Sequence, residues 1–350
     1  MNKTGVVRDD RYLDHRPSAF HPESPERLKA IYAMLDEPDM ADRFLKVPAR
    51  PADRDDLLRV HASVYVDRIA ATEGNAQCVL DPDTFTSPGS YRAALLAAGG
   101  FCRAISMVVS GELRNAFALV RPPGHHAERN RAMGFCFFNN MAIGATYAQK
   151  HHHRERILIA DWDLHHGNGT QHTFENDPSV LFFSTHQYPY YPGSGAFTEA
   201  GKAHGQGFTV NVPLSAGQGD GEYIAIFENI LKPIALEFHP DLILVSAGFD
   251  NHTDDPLGGM LLTPEGFAGL TGSLMAIADI CCEGKMVLTL EGGYHLKGLK
   301  DSVKAVLLEL SGASRTPIEK MVSQGDPRKI EHILKQVYQV HGTFWTNLHP

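Results

Sequence analysis

The chain has 350 residues, of which 43% are hydrophobic and 21% are charged, and its formal net charge at pH 7 is −9. This composition is that of a globular protein with a sizeable core, and it excludes a largely disordered chain. The acidic balance argues against direct binding of nucleic acid, because phosphate backbones attract basic surfaces.

The cysteines and the hydrophobic pattern predict a cytoplasmic protein. The 5 cysteines are odd in number and lack the paired CxxC spacing of a zinc knuckle, so we expect reduced thiols. Residues 1–10 contain no apolar run typical of export signals, and no stretch supplies the roughly 18 consecutive apolar residues of a membrane-spanning helix. We therefore expect neither an export signal nor a membrane anchor.

Predicted helices and strands alternate along most of the chain. Val6 and Val7 predict a short edge strand, and Ser24 and Pro25 predict the cap and first turn of the first helix. Helices are predicted over residues 25–35, 55–71, 91–110, 141–150 and 222–238, and from residue 264 onward. Apolar runs predict strands over residues 116–120, 156–160, 180–184, 210–214, 241–246 and 286–290.

Four of these strands run into polar residues at their C-terminal ends. The strands are followed by His125 and His126, by residues 161–169, by Asp250 and by residues 291–294. In open parallel α/β sheets, the ligand crevice lies at this edge. The sequence therefore predicts an α/β fold with a mainly parallel central sheet, helices on both faces and a site at the C-terminal strand ends.

No repeat, low-complexity tract or linker divides the chain, so we expect one large domain. We predict a catalytic domain over residues 1–312 and a helical tail over residues 313–350 that packs on this domain or extends it. The tail could serve a homo-oligomer, which the sequence leaves open.

The stretch Asp-Trp-Asp-Leu-His-His-Gly-Asn-Gly at residues 161–169 indicates a metal site. Asp163 and His165, together with Asp250, make a set of three ligands with room for an exchangeable fourth position. Zinc is the first expectation, although this donor set also suits iron, manganese or cobalt. In the structural alternative, Asp161 caps a turn and the histidines are ordinary loop residues.

The adjacent His125 and His126 are natural proton-handling groups beside such a metal, unless they form a structural turn with one buried histidine. Asp161 could orient one imidazole and Asn168 the other. Because an Asp partner favours the charged imidazolium more than an Asn partner does, the two histidines should differ in proton affinity. Tyr294, presented by two glycines, could donate its hydroxyl to a developing oxyanion.

Two other features have competing interpretations. The three histidines at 151–153 are a weak metal candidate, because consecutive side chains in a loop point apart. Asp81 and Asp83 lie in the turn-rich run 81–89, and they could be rim residues of a site or simply form the turn.

Five motifs in a fixed order resemble those of the zinc-dependent histone deacetylase family, and more closely its class II-like branch, which includes bacterial amidohydrolases. The motifs are Arg-Pro-Pro-Gly-His-His-Ala (121–127), Gly-Phe-Cys-Phe-Phe-Asn-Asn (134–140), Asp-Trp-Asp-Leu-His-His-Gly-Asn-Gly-Thr (161–170), Ser-Ala-Gly-Phe-Asp (246–250) and Glu-Gly-Gly-Tyr (291–294). The resemblance covers about residues 1–312. It implies an arginase-like α/β fold and hydrolysis of acyl-lysine.

The resemblance also implies roles for the residues of these motifs. Zinc would be held by Asp163, His165 and Asp250, and Tyr294 would clamp the substrate carbonyl. The acyl-lysine tunnel and its rim would be lined by Gly134, Phe135, Tyr191, Leu257 and Asp83.

Of the histidine pair, His126 would be the general base toward the zinc-bound water, and Asn168 would orient it. His125 would be its electrostatic or acid partner and would pair with Asp161.

Structural potassium is a further implication of the resemblance. One site would use groups at Asp161, Asp163, His165, Ser184 and Thr185. A second site would use Phe174, Asp177, Val180 and Phe208.

Two departures from relatives matter. Asn168 stands where the class I branch has Asp, which fits the class II branch and leaves His126 less strongly charged. Leu257 occupies the rim position where the polyamine-selective relative carries a Glu, and the long insertion of bacterial acetylpolyamine hydrolases has no counterpart. Leu257 and the missing insertion favour an acyl-lysine protein or peptide over a small acylated amine.

Two rival functions are weighed against this one. Binuclear manganese ureohydrolases need further acids beside the metal ligands, and here Asp250 is followed by Asn251 and His252. A catalytically silent acyl-lysine binder would not need His126 and Tyr294.

Overall fold

A parallel sheet of eight strands runs through the computed structural model, which describes residues 3–18 and 20–349. The strands of the structure are β1 (Thr4–Val7), β2 (Leu45–Val47), β3 (Val79–Asp81), β4 (Thr84–Phe85), β5 (Asn115–Ala118), β6 (Ile157–Asp161), β7 (Val180–Gln187), β8 (Thr209–Leu214), β9 (Leu242–Ala247) and β10 (Met286–Leu290). The order across the sheet is β2-β1-β5-β10-β9-β6-β7-β8, and every neighbouring pair in it is parallel. The strands β3 and β4 form a separate antiparallel hairpin.

Helices cover this sheet. They are α1 (Pro25–Leu35), α2 (Arg54–Leu58), α3 (Ser63–Ala70), α4 (Ser90–Val109), α5 (Asn140–His152), α6 (Asn168–Phe174), α7 (Asp220–Ile226), α8 (Lys232–Phe238), α9 (Pro264–Cys281), α10 (Leu296–Leu310), α11 (Ile318–Val322) and α12 (Pro327–His341). The strands β5, β6, β9 and β10 are buried at every residue, which requires cover on both faces. One pair of helices, α4 and α5, packs together against the sheet, and α9 and α10 form another such pair. The predicted α/β fold with a mainly parallel sheet is confirmed.

Several predicted elements differ in detail. β1 is not an edge strand, because β2 pairs outside it. Ser24 occupies the cap position of α1 but makes no capping hydrogen bond through its side chain. The run 81–89 contains part of the hairpin as well as a turn, and the predicted helix over 222–238 passes through a π-helical turn, Phe227–Leu231.

The predicted helix over 55–71 is two helices, α2 and α3, because the chain turns at His61. The buried His61 imidazole lies 2.9 Å from the Glu128 carbonyl oxygen through Nδ1 and accepts the Asn139 N–H through Nε2 at 2.9 Å. His61, which lies at the break between the two helices, thus anchors the segment that leads into α5.

The histidines at 151–153 are not in a loop as predicted. α5 extends through His152, and His153 ends it in a left-handed conformation with a φ of 53°. His151 pairs with Asp56 and His152 with Ser106, so the side chains of these two point to different partners.

The helix α4 is long and apolar enough, by length and composition alone, to cross a membrane. In its most apolar 18-residue segment, 72% is buried inside the protein, and the helix packs on α5 and β5. This is the position of a core helix.

The tail after residue 312 lies on the body of the protein. α11 packs on α7 and α9, and α12 packs on α7 and β8. Val337 on α12 is fully buried. The ends of the two predicted domain ranges, residues 1–2 and 350, lie outside the described residues.

Candidate active site

Polar segments that follow four neighbouring strands converge at one edge of the sheet. β5, β10, β9 and β6 are adjacent, and Asp161 at the end of β6 lies in register with Ser184 on β7 and Ser246 on β9. Because the strands are parallel, the segments that leave them begin at the same level. These segments carry most of the side chains predicted to form the site.

The structure brings together Asp163, His165 and Asp250. His165 Nδ1 lies 3.2 Å from Asp163 Oδ1 and 3.0 Å from Asp250 Oδ2, and one ligand atom from each of the three residues lies within 4.8 Å of the others. Backbone donors fix both carboxylates, since Gly292 N–H donates to Asp163 Oδ2 at 2.8 Å and Leu164 N–H donates to Asp250 Oδ1 at 3.0 Å.

This group fits a divalent metal ion. Both carboxylates are buried, and burial, followed by the charge of Asp163, raises the pKa of Asp250 to about 7. A cation between the carboxylates would offset both effects. One imidazole nitrogen and two carboxylate oxygens are a donor set that suits zinc and neighbouring transition metals.

The two adjacent histidines of the site have different Nδ1 partners. His125 Nδ1 lies 3.0 Å from Asp161 Oδ2, and His126 Nδ1 lies 2.7 Å from Asn168 Oδ1. The Asn168 amide group donates to Glu128 Oε1 at 2.6 Å, so its oxygen is left to accept from His126. This arrangement places a hydrogen on His126 Nδ1 and leaves the Nε2 lone pair free.

These partners separate the two imidazoles in proton affinity. Although burial alone favours a neutral ring, the charges of Asp161 and Asp163 raise the pKa of His125 to about 10. Burial, with the charges of His125 and His165, holds the pKa of His126 well below its ordinary value. At neutral pH, His125 is therefore charged and His126 is neutral.

Tyr294 lies at the wall of the same pocket as the histidines. Its ring meets the Phe135 ring edge-on with centroids 5.9 Å apart, and the Arg27 guanidinium carbon lies 5.0 Å from its centroid. Burial, with the charge of Asp250, raises the pKa of the Tyr294 hydroxyl, which therefore stays protonated and can donate.

The pocket that holds these groups encloses about 440 Å³. The five residues predicted for the tunnel and its rim all line it, namely Asp83, Gly134, Phe135, Tyr191 and Leu257. Asp83 is fixed at the pocket because its Oδ1 accepts the Gly134 N–H at 3.1 Å. The ring of Tyr191 packs edge-on against His126 with centroids 5.1 Å apart.

The residues predicted for potassium lie in two groups. Asp161, Asp163 and His165 lie at and just after the end of β6, and Ser184 and Thr185 lie within β7, where Ser184 is the register partner of Asp161. The buried Thr185 hydroxyl has no hydrogen-bond partner among the described residues. The other predicted residues lie around one turn, in which Asp177 N–H donates to the Phe174 carbonyl and Val180 N–H donates to the Asp177 carbonyl. The Phe208 carbonyl accepts the Phe182 N–H of β7, the strand that begins at Val180.

Sequence reasoning missed a buried carboxylate behind the histidines. Glu291 is fully buried, and its Oε2 accepts the Gly124 N–H at 2.7 Å and the His125 N–H at 3.2 Å. Arg27 Nη2 donates to the Glu291 carbonyl and Arg27 Nε donates to the Gly293 carbonyl, both at 2.6 Å. The position of Glu291 directly after a buried strand was a usable signal in the sequence. The role of Arg27 could not be predicted, because its contact with Glu291 joins residues that are 264 positions apart in the chain.

Known proteins with similar sequences are named as deacetylases. A family model described as the histone deacetylase domain matches residues 21–310. A probable deacetylase of Archaeoglobus fulgidus is 40% identical over 355 residues, which cover 98% of each chain. The crystal structure of the HDA15 HD domain has a TM-score of 0.92 and 40% identity, with 99% of this chain and 96% of that chain covered.

Two eukaryotic relatives are longer than this chain. Histone deacetylase 15 of Arabidopsis thaliana is 42% identical over 320 residues, which cover 89% of this chain and 57% of the relative. The human polyamine deacetylase HDAC10 is 42% identical over 309 residues, which cover 85% of this chain and 45% of the relative. This chain thus spans about half of these proteins but nearly all of the archaeal one. The resemblance drawn from the five motifs is confirmed: the chain belongs to the histone deacetylase family, whose members are deacetylating hydrolases.

Proposed function

We propose that this protein hydrolyses the amide bond of acetylated or otherwise acylated lysine side chains with a zinc ion held by Asp163, His165 and Asp250. The observation that carries the proposal is that His165 of this donor set lines one pocket together with His126 and Tyr294. Such a pocket combines an ion site, a proton acceptor and a hydrogen-bond donor, which are the parts that hydrolysis of an amide needs.

When bound, zinc would act as a Lewis acid that lowers the pKa of a water molecule and polarises the amide carbonyl. The remaining tasks fall to side chains of the protein. They are to accept a proton from the attacking water, to stabilise the developing oxyanion and to protonate the leaving amine.

His126 is suited to the first and third of these tasks. Its neutral ring keeps the Nε2 lone pair free, because Asn168 accepts the hydrogen on Nδ1. His126 Nε2 would take the proton of the attacking water while the oxygen–carbon bond forms. The same proton would pass to the amine nitrogen as the carbon–nitrogen bond breaks. His125, charged through its pairing with Asp161, would stabilise the negative charge that builds up in between.

Tyr294 is suited to the oxyanion. Its hydroxyl stays protonated, and its backbone is fixed because the Tyr294 N–H donates to Asp255 Oδ2 at 2.6 Å. A fixed donor beside the carbonyl stabilises charge in the transition state more than in the bound substrate.

An acyl-lysine side chain suits the pocket mouth better than a free polyamine. Leu257 at the mouth is apolar, and its carbonyl accepts the Tyr190 hydroxyl at 2.9 Å. A polyamine carries further ammonium groups, which an apolar side chain at this position does not stabilise. A small acylated amine stays the second candidate, because relatives named as polyamine deacetylases are 40% and 42% identical to this chain.

Release of acetate from an acetyl-lysine peptide, measured together with the metal content of the purified protein, tests the proposal. We expect acetate release from the wild type, and we expect Asp163→Asn to lose the zinc ion of this site. Zinc without acetate release would indicate a silent binder, and manganese at two ions per chain would indicate a ureohydrolase site. Peptides with longer acyl chains and acetylpolyamines in the same assay define the substrate class.

The proposal also includes potassium, which would bind at the two groups of residues described for the candidate active site. The support for the first site is the buried Thr185 hydroxyl, which has no partner among the described residues and follows Ser184, the register partner of Asp161. An oxygen buried without a partner is costly, and a cation would satisfy it. The cytoplasmic location, a homo-oligomer and the lack of nucleic acid or membrane binding stay predictions.

A further inference from the structure

A second cluster of metal-binding side chains lies outside the catalytic pocket. His252 and Asp254 follow β9, and His295 precedes α10. One ligand atom from each of these three residues lies within 4.8 Å of the others. The Nδ1 atoms of both imidazoles lie 3.9 Å from the same oxygen, Asp254 Oδ2. We call these residues the His252–Asp254–His295 cluster.

Both imidazoles of the cluster are oriented by the backbone. His252 Nδ1 accepts the Asp254 N–H at 3.1 Å, and His295 Nδ1 accepts the Gly298 N–H at 3.3 Å. These bonds put the hydrogen of each ring on Nε2 and the lone pair on Nδ1. The lone pair that a metal requires is therefore on the nitrogen nearest to Asp254.

Packing holds the cluster in place. His252 is buried under the first turn of α10, where a β-carbon on Gly298 would clash with its ring. Asp255, the next residue after Asp254, ties the two chain segments, because its Oδ2 accepts the Tyr294 N–H at 2.6 Å and the His295 N–H at 3.1 Å. The two histidines are thus held side by side without any ion.

The dimensions and the access suit an ion. In a tetrahedral site with bonds of about 2.1 Å, neighbouring ligand atoms are roughly 3.4 Å apart. Each Nδ1 lies 3.9 Å from Asp254 Oδ2, so the carboxylate would have to approach each nitrogen by about half an ångström. The Asp254 side chain is 62% exposed and can move by this amount. An ion would replace the two long N–H to Nδ1 bonds and would still have an open position for water.

We propose that the His252–Asp254–His295 cluster binds a divalent transition-metal ion, separate from the ion held by Asp163, His165 and Asp250. Two imidazoles and one carboxylate favour zinc, copper, nickel or cobalt over magnesium and calcium. The bound ion joins the segment after β9, which carries Leu257, to the segment that carries Tyr294. It therefore holds the mouth and one wall of the pocket together.

Metal counting after equilibrium dialysis of the full chain against zinc tests this proposal. We expect two zinc ions per wild-type chain and one in His295→Asn and in Asp254→Asn. The catalytic-site variant His165→Ala should lose the other ion and keep this one. His153→Asn, at the end of α5, is the matched control for adventitious binding to surface histidines, and it should keep both ions.

A thermal unfolding scan with and without zinc gives a second readout. Wild type should gain a further rise in Tm as the second ion binds, and Asp254→Asn, whose side chain is exposed and not needed for folding, should lack this further rise. Saturation of wild type at one ion, or retention of two ions by either Asp254→Asn or His295→Asn, would overturn the proposal. Acetate release measured on the same samples reports the proposed function separately, because none of these three residues belongs to the catalytic groups.

Discussion

The two adjacent histidines of the pocket differ in charge because their Nδ1 atoms meet different partners. His125 meets the carboxylate of Asp161, and His126 meets the neutral amide of Asn168. The hydrogen bond is similar in geometry, but only the carboxylate stabilises an imidazolium through its charge. Because Asn168 carries no charge, burial and the charges of His125 and His165 keep His126 neutral, and it is the ring that can accept a proton at neutral pH.

Asn168→Asp should move the acid limb of the kcat/KM profile to higher pH. A carboxylate at this position raises the pKa of His126, so the ring stays protonated to a higher pH and accepts a proton only above it. We expect a shift of about one pH unit or more, measured as kcat/KM for an acetyl-lysine peptide against pH.

Glu128 provides the control for this variant. It lies 2.6 Å from the Asn168 amide nitrogen, so a carboxylate at position 168 would meet a second carboxylate. Adding Glu128→Gln removes that repulsion and should preserve the shift. An acid limb that stays in place in both variants would show that His126 is not the base.

Tyr294→Phe should lower kcat by about 10²-fold or more, because it removes one donor to the oxyanion. The ring and its contact with Phe135 remain, so the fold and the bound zinc should be kept. Acetate release and zinc content are measured on the same sample. A kcat equal to that of wild type would remove Tyr294 from the mechanism.

Leu257→Glu should shift the preference from acetyl-lysine peptides toward acetylated polyamines, because it places a negative charge at the mouth of the pocket. Leu257→Gln has nearly the same size without the charge and is the matched control. The measurement is the ratio of kcat/KM for the two substrates. If Glu and Gln give the same ratio, charge at the mouth does not select the substrate.

Among the elements, those that the sequence predicts best are the ones that end in the site. β5, β6, β9 and β10 are mostly apolar and fully buried, and the polar residues that follow them are visible as a change of composition. β2 was missed because it has three residues, of which only Val47 is buried. The support of the histidine loop by Glu291 was missed because the two segments are 167 residues apart in the chain.

Gly292→Ala should abolish binding of the catalytic-site zinc ion by moving the segment after β10. A β-carbon there would clash with Asp163 Oδ2 and Asp250 Oδ2, and Arg27 holds the segment on its other side through the Glu291 and Gly293 carbonyls. Zinc content after dialysis is the measurement.

Gly219→Ala is the control for this substitution, because its β-carbon would meet no atom closer than 3.6 Å. It should keep the metal and the activity. Retention of the catalytic-site ion by Gly292→Ala would mean that the metal ligands do not depend on this segment.

At the scale of the whole molecule, the sheet order explains why a site can form from distant parts of the chain. The strand that precedes the histidine pair, β5, and the strand that precedes Tyr294, β10, are neighbours although about half of the chain separates them. No local pattern encodes this pairing, so only the rule for parallel sheets predicted the convergence. The sequence likewise predicts helices in the tail, residues 313–350, but it does not predict the surface of the catalytic domain on which they pack.

Trp345→Ala tests whether the tail belongs to the catalytic body. The Trp345 indole N–H donates to the Gly207 carbonyl at 3.0 Å, and its ring packs edge-on against Phe208 and Phe238. Because Trp345 is 6% exposed, its removal should lower the free energy of unfolding by about 3–5 kcal/mol. Urea unfolding should remain a single transition, and kcat should not change, because Trp345 does not line the pocket.

Tyr338→Ala on α12, where the side chain is 37% exposed, is the control and should lower the free energy of unfolding far less. Two separate transitions in wild type, with only the smaller one affected by Trp345→Ala, would show that residues 313–350 unfold on their own.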